Sequence, residues 1–423
     1  MYLKRYPPCR NLWQQFDLKG IAPVGATYNK TMRYTTAGES HGPEEIAVIE
    51  GIPAGLHLTQ EDINEQLARR QRGYGRGERQ KIETDTVTFL TGVRHQYTLG
   101  SPITLNVHND DHNNWSKIMA PNTPATPENT LRKVLRPRPG HADLVGGIKY
   151  RHHDDLRNVL ERSSARETTM RVAVGAVAKK LLAEIGVDVH GFVVNVGPAK
   201  SDLSQLTKYH DLQALREVTE GFETRALDAA ADAAIRDVID KTKRDANTVG
   251  GQVQVIATGM PVGLGSYVSA DEKLDGKIAR AIVGINAFKG VQFGGGFDNA
   301  EKYGDQVMDE IFWDAEKGFY RGSDNLGGFE GGMTTGEAIV VRGVVKPIPT
   351  LYRPMQSVDI DTHQDHKASI ERSDTTAVTA AAVIAEAMVA IELAKAVLDK
   401  FDADNIDRMK EQVAAYREEV RRF

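Results

Sequence analysis

Gly38-Glu39-Ser40-His41-Gly42-Pro43 lies between two β-like runs, Met32–Thr36 before it and Glu45–Glu50 after it. Ile46, Val48 and Ile49 make the second run read as a strand, and Gly51-Ile52-Pro53 ends it. The loop between the runs carries a histidine flanked by a hydroxyl and a carboxylate. Glycine on each side lets backbone N–H groups approach a ligand and leaves the imidazole unshielded. Histidine also titrates nearest neutrality, which suits proton transfer. One loop histidine reads equally well as structural. A second one in similar dress, within Arg136-Pro137-Arg138-Pro139-Gly140-His141-Ala142-Asp143, points to a site.

Outward from that loop the chain alternates strands, helices and glycine-rich loops. Thr59 can cap a helix over Gln60–Gln71, with Glu61 and Asp62 favourable in its first turn. Ser163 or Ser164 opens a helix over Ala165–Glu184 that stops at Gly186. Strands are expected at Val189–Val196, Gln252–Thr258 and Ala338–Val345. Asp374 opens an Ala-rich helix, Thr375–Lys400, and an amphipathic helix over Asn405–Arg421 follows. Glycine-dense loops at 73–77, 290–297 and 327–336 are the expected mobile or ligand-covering elements. No linker cleanly separates two domains. Residues 1–31 precede the regular pattern and read as an extension outside the catalytic fold, from an upstream start codon and disordered.

Composition narrows the class of function. A chain of 423 residues, 40% hydrophobic and 26% charged, can build a sizeable core. Its net charge of −5 argues against wholesale binding to nucleic acid or an anionic membrane. The most apolar run, Ala377–Ala394, contains Glu386 and Glu392 and reads as a buried helix of a soluble protein rather than a membrane span. The single cysteine, Cys9, excludes an internal disulfide framework, and a reducing cytoplasmic setting follows.

Arginines crowd the loops. Arg69, Arg70, Arg72, Arg76 and Arg79 fall within one glycine-rich segment, Arg136 and Arg138 precede His141, and Arg162 and Arg166 flank Ser163-Ser164. Guanidinium groups bind carboxylates and phosphates through paired hydrogen bonds, and such a crowd calls for a shared anion. Taken singly, Arg69, Arg70 and Arg72 also read as charge compensation at a helix C-terminus. Ser163-Ser164 at a helix start can cradle an anion or simply cap the helix. Asp374, likewise, is either an N-cap or a carboxylate aimed into the site. Ser40-His41 does not make a hydrolase pair, because neighbours in extended chain point apart and no Gly-x-Ser-x-Gly elbow exists. Asp361, His363, Asp365 and His366, or His152, His153, Asp154 and Asp155, lack metalloenzyme spacing, although the first group would serve a metal-dependent phosphohydrolase. No standard dinucleotide or Walker-type loop is present.

Together these segments resemble the chorismate synthase family from about Met32 to Val397. The resemblance rests on Gly38–Gly42 through Pro53, on Arg136–Gly146, on Glu161-Arg162-Ser163-Ser164-Ala165-Arg166-Glu167-Thr168, on Gly331-Gly332-Met333-Thr334-Thr335-Gly336 and on Arg372-Ser373-Asp374. It implies an α+β fold, a β-α-β sandwich with helices between antiparallel sheets, in one catalytic domain over 32–423, assembled as a homotetramer. The implied reaction is the 1,4-anti elimination of phosphate from 5-enolpyruvylshikimate 3-phosphate, giving chorismate with reduced FMN. NADPH enters only as a source of flavin reduction. The resemblance assigns catalysis to His41, His141 and Asp374. It places FMN on Arg162, Ser163, Ser164, Asn286, Ala287, Gly331, Lys346, Pro347, Ile348, Pro349, Thr350 and Arg372. Substrate anions or NADPH fall to Arg70, Arg76, Arg79 and Arg138, and no metal is implied. One departure is Thr379, which stands where relatives are expected to carry proline.

Overall fold

The computed structural model describes residues 31–77 and 84–423. Arg79 and the expected extension, Thr31 apart, lie outside the described residues. Two antiparallel sheets dominate the remainder. The first comprises β1 (Arg33–Ala37), β2 (Glu44–Glu50), β3 (Val87–Thr91) and β4 (Ile103–His108), in the order β1-β2-β4-β3. Pairing of Thr36 with Ala47 and of Ala47 with Leu105 fixes its register. The residues of β2 that face inward are Glu45, Ala47 and Ile49, while Val48 is partly exposed. That register places a carboxylate in the core beneath the His41 loop.

The second sheet comprises β5 (Asp188–Val196), β6 (Ala199–Lys200), β7 (Gly251–Thr258), β8 (Phe288–Phe293) and β9 (Ile339–Val345), in the order β8-β9-β7-β5-β6. Among the described helices, α1 (Gln60–Gln71), α2 (Asp143–Tyr150), α3 (Arg157–Ser163), α4 (Thr168–Ala183), α5 (Leu212–Gly221), α6 (Ala229–Arg244), α7 (Leu274–Val283), α8 (Val378–Lys400) and α9 (Ile406–Arg422) follow in chain order. Helices α4 and α8 pack on each other. Helix α4 also meets β1, β2 and β4, while α8 meets β5, β7 and β9. Both helices are apolar nearly all round, as burial on several sides requires. The described residues thus form a mixed α and β fold with antiparallel sheets.

Local chemistry explains which boundaries are sharp. Thr59 and Asp62 form a reciprocal capping box at the start of α1. Asn405 caps α9 by accepting from the Asp407 N–H. Two expected helix starts are displaced. The helix expected from Ala165 begins at Thr168, because Ser163 ends α3 and Ser164 is extended, its hydroxyl accepting from the Arg166 N–H. The helix expected from Thr375 begins at Val378. There the Thr375 N–H donates to the Gly75 carbonyl and its own carbonyl accepts from the Val249 N–H, so the segment is tied to other loops.

The glycine-rich loops are also anchored. Phe288–Phe293 is a strand, and Gly294 and Gly295 beyond it donate to Val340 and Asn325 carbonyls. Gly331 and Gly332 take φ of +59° and +81° at the two-residue turn joining Phe329–Glu330 to Met333–Thr334, the conformation that tight hairpins require.

Candidate functional site

Gly38 starts the loop between β1 and β2 at φ +124°, where a Cβ would lie 2.6 Å from the Glu44 carbonyl oxygen. Only glycine fits. From there the chain is drawn onto α3. The Ser40 N–H donates to the Glu161 carbonyl at 2.9 Å, and the His41 N–H donates to Glu161 Oε2 at 2.9 Å. His41 Nδ1 meets Glu161 Oε1 at 2.9 Å, so Nδ1 carries the hydrogen and Nε2 is the ring nitrogen left to act. Trp115 stacks on the imidazole with ring centroids 3.8 Å apart. Burial opposes ionisation of Glu161, but the hydrogen bond and charge of His41, followed by Arg157, hold its carboxyl below the usual range.

The hydroxyls and cations at the end of α3 close around the same loop. Arg162 donates to the Thr36 carbonyl at 2.9 Å and the Gly38 carbonyl at 3.1 Å, and Ser164 Oγ donates to Ser40 Oγ at 3.1 Å. The Asn286 amide donates to the Ser163 carbonyl at 3.0 Å. Ala287 beside it is held at φ +72°, its carbonyl accepting from the Lys346 N–H at 2.9 Å. An open cleft of about 300 Å³ lies here, lined by Thr36, Arg162, Glu167, Arg171, Gly284, Ile285 and Asn286.

His141 belongs to a second cluster, built on α2 and the loop before it. Its Nδ1 meets Asp143 Oδ1 at 2.6 Å. Arg138 grips both oxygens of Asp143, at 2.8 Å through Nε and 3.0 Å through its terminal nitrogen, and also donates to Thr350 Oγ1 at 2.9 Å. Burial alone would raise the Asp143 carboxyl, but hydrogen bonds from His141 and Arg138 outweigh it and hold the group well below its ordinary range. The Thr350 contact brings the segment Lys346-Pro347-Ile348-Pro349-Thr350 against the His141 loop. Its backbone is tethered further by Thr248 Oγ1, which donates to the Ile348 carbonyl at 2.7 Å. Burial and then Lys289 push the Lys346 ammonium down from the lysine range, and no described carboxylate pairs with it.

Asp374 is a ligand of the glycine loop, not an N-cap. It accepts from Arg76 and from the Gly77 N–H, each at 2.6 Å. Arg76 Nε is buried without a partner among the described residues. Arg372 pairs with Asp111 at 2.5 Å. Arg70 is turned inward, donating to Thr168 Oγ1 and the Ala165 carbonyl with Asp85 at 3.4 Å, and burial pushes its pKa down to about 10. Arg138 is likewise buried among protein partners. Gly331 sits against Tyr267 and Met333 in its hairpin, without a hydrogen bond to the other expected flavin residues. Among the described residues, no group of three or more His, Cys, Asp or Glu is arranged to hold a metal ion. Nor is any described helix long and apolar enough to cross a membrane.

Several working residues escaped the sequence reading. Asp143 lies two positions after His141, and Glu161 adjoins Arg162, so both were within the quoted segments but had no role. Glu371 adjoins Arg372 and likewise had no role, whereas Trp115, Arg157 and Asp111 meet the site only through long-range contacts.

Fold and site together define an α+β enzyme that handles anions, with two histidines each seated on a carboxylate. Comparison with known proteins makes the class specific. The family model described as chorismate synthase matches residues 32–398. A chorismate synthase of Leuconostoc citreum is 93% identical over 392 residues, which cover 93% of this chain and 100% of the relative. That of Bacillus subtilis is 56% identical over 394 residues, covering 93% of this chain and 100% of the relative. A solved structure titled as a crystal structure of chorismate synthase is similar at a TM-score of 0.75 and 40% identity, covering 93% of this chain and 99% of its own. The chain belongs to the chorismate synthase family. It is a lyase that eliminates phosphate from 5-enolpyruvylshikimate 3-phosphate to give chorismate, in the shikimate pathway to aromatic amino acids.

Proposed function

We propose that the elimination is 1,4-anti, uses reduced FMN, and is carried out by His41, His141 and Asp374 within a single catalytic domain spanning 32–423. The observation that carries the reading is the pair of histidines with Nδ1 on Glu161 and on Asp143, since each is thereby oriented with Nε2 as its proton-handling atom. His141, beside the cationic Lys346 segment, protonates the departing phosphate. His41 is the proton donor on the flavin or substrate side, and Asp374 relays the proton lost from C6.

The residues present suit a flavin phosphate and ring. Ala287 holds a backbone conformation rare for a side-chain-bearing residue, Asn286 and Arg162 line a cleft, and Lys346 pairs with no carboxylate among the described residues. Arg162, Ser163, Ser164, Asn286, Ala287, Lys346–Thr350 and Arg372 would hold FMN, with Gly331 on its covering hairpin. Held there, reduced FMN would supply transient electron transfer to an elimination that is redox-neutral overall. Arg76, beside Asp374, is assigned to a substrate anion or to NADPH as an outside reductant. Arg70 and Arg138 serve through Thr168 and Asp143, which they hold.

The contacts of α4 with the first sheet and of α8 with the second support a β-α-β sandwich. The chain is assigned to a homotetramer in a cytoplasmic setting, and exposed Ile311, Phe312, Trp313 and Phe319 on the hairpin Ile311–Asp314 with Gly318–Arg321 support association with another subunit. The test is anaerobic incubation with reduced FMN and 5-enolpyruvylshikimate 3-phosphate. Stoichiometric phosphate and chorismate are expected, and His141→Ala is expected to slow turnover by about 10²–10⁴ with flavin affinity retained. A folded, flavin-loaded sample that releases no phosphate refutes the reading.

A further inference from the structure

Arg157 opens α3 and is buried, yet all three edges of its guanidinium are engaged. Nε donates to the Arg132 carbonyl at 2.6 Å, one terminal nitrogen donates to Glu161 Oε1 at 3.1 Å, and the other donates to Glu371 Oε1 at 3.1 Å. One face lies over Trp115, with its Cζ 4.8 Å from the ring centroid. Glu161 is the carboxylate that seats His41. Glu371 lies just before Arg372 and Asp374, in the segment that reaches Asp111 and Arg76. A single guanidinium therefore joins the partner of His41 to the segment that bears Asp374, across two parts of the chain far apart in sequence.

We propose that Arg157 is a positioning residue that sets the His41–Glu161 pair and the Glu371–Asp374 segment at a fixed separation. The inference rests on the reading of His41 and Asp374 as catalytic. A planar fork with separate N–H edges can hold two carboxylates at once in a defined geometry, which a lysine ammonium on a flexible stem cannot. Since Arg157 is buried behind Trp115, it acts through these neighbours rather than on substrate.

Steady-state turnover of the reduced-FMN holoenzyme is to be measured without oxygen for Arg157→Lys, Arg157→Met, Glu371→Gln and the Arg157→Met/Glu371→Gln double variant, with His41→Ala and Asp374→Asn alongside. A displacement of about 1 Å between working groups lowers rate by roughly 10²-fold. Arg157→Met is expected to lose kcat on that scale and Glu371→Gln by roughly tenfold, with KM within about threefold of native, a split that marks lost positioning rather than lost binding. Arg157→Lys is expected to fall between native and Arg157→Met. The double variant is expected to be no slower than Arg157→Met, because both remove the same bridge. Flavin affinity, followed by fluorescence quenching, is expected to stay unchanged, which a general loss of structure would not leave so.

Turnover of Arg157→Met within twofold of native, or losses that simply multiply in the double variant, overturns the inference while leaving the catalytic assignment standing if His41→Ala and Asp374→Asn are slow. Native rates in both of those variants overturn the assignment and this inference together. Should Arg157→Met fail to bind flavin, Glu371→Gln, altered at a partly exposed side chain, decides alone: native kcat rejects the bridge.

Discussion

At the level of single residues, both histidines sit on carboxylates held by an arginine, Asp143 by Arg138 and Glu161 by Arg157. Asp143 is gripped by Arg138 on both oxygens, so its contact with His141 is fixed independently of any ligand. Asp143→Asn removes the charge that orients His141 and leaves Arg138 facing a neutral amide. Turnover is expected to fall about 10²-fold, with the apparent KM little changed, and native kcat in steady-state assays would reject the orienting role. Glu45 presents the opposite situation. Both its carboxylate oxygens are buried without partners among the described residues, and burial pushes its pKa up to about 7 against the pull of Arg166 and Arg162. Unfolded, the same group titrates near 4.5, as an ordinary glutamate does. Between those values the folded chain keeps a proton that the unfolded chain releases, so stability declines as pH rises through 4.5 to about 7. Above that window the full penalty is on the order of 3 kcal/mol. Glu45→Gln is expected to remove it. In urea unfolding, the variant's midpoint should exceed native at pH ~8 and approach it at pH ~4. An unchanged difference across pH would show that Glu45 ionises freely in the fold.

Among the elements, the contact between α4 and α8 sets the spacing of the helical layer. A Cβ on Gly175 would lie 2.4 Å from Ala387 Cβ and 2.7 Å from Ala387 Cα. Alanine ordinarily stabilises a helix interior by about 1 kcal/mol over glycine. Here the obstacle includes backbone, so the helices must separate, and Gly175→Ala is expected to destabilise by about 1–3 kcal/mol. Gly221, at the end of α5, has nothing within 4 Å of such a Cβ and is the control, with an effect near zero or slightly favourable. Thermal melts of both variants check this, and a Gly175→Ala protein as stable as the control would refute the tight crossing. These two glycines look alike in sequence, which illustrates what a sequence can convey about elements. The limits of α1 were legible because Thr59 and Asp62 settle them within a single turn. The strand over Glu45–Glu50 was equally legible, but the identity of its inward residues was not, because pairing with β4 selects Glu45 over Ile46 and Val48. Ser163 and Ser164 were legible as a helix junction, although the extended Ser164 that divides α3 from the following turn was not. The start of α8 was misplaced because Asp374 is bound by Arg76 and Gly77, a contact no local pattern encodes. At the site, the short motifs revealed the histidines, while Trp115 and Arg157 became visible only once distant segments met.

For the molecule as a whole, the decisive junction is Glu386, midway along α8. Its carboxylate accepts from Arg69 of α1 at 2.7 and 2.9 Å, from the Gly191 N–H of β5 at 2.9 Å, and from Lys179 of α4. Arg69 reaches on to Glu220 of α5 at 2.7 Å, and Arg225 carries the network to the carbonyls of Arg69, Arg72 and Thr379. Those last contacts fasten the C-terminus of α1 and the start of α8, the two ends from which the Arg76 loop and the Asp374 segment depart. Burial opposes the charge on Glu386, yet Arg69 and Lys179 prevail and hold its carboxyl well below the ordinary range. Charges so deeply placed are not themselves a large source of stability, since desolvation offsets most of their attraction. Removing one partner is another matter. Glu386→Gln leaves the Arg69 and Lys179 cations facing a neutral amide in a low-dielectric interior, and a loss of about 3–5 kcal/mol is expected. The triple variant Arg69→Met/Lys179→Met/Glu386→Leu replaces the charges by apolar groups of similar size and is expected to recover most of that loss. Urea unfolding of the three proteins distinguishes the possibilities. If the single and triple variants are equally unstable, the network contributes net stability of its own. If the triple variant recovers stability but turns over slowly, the buried charges serve to fix where α1 and α8 end, and through those ends the placing of Arg76 against Asp374.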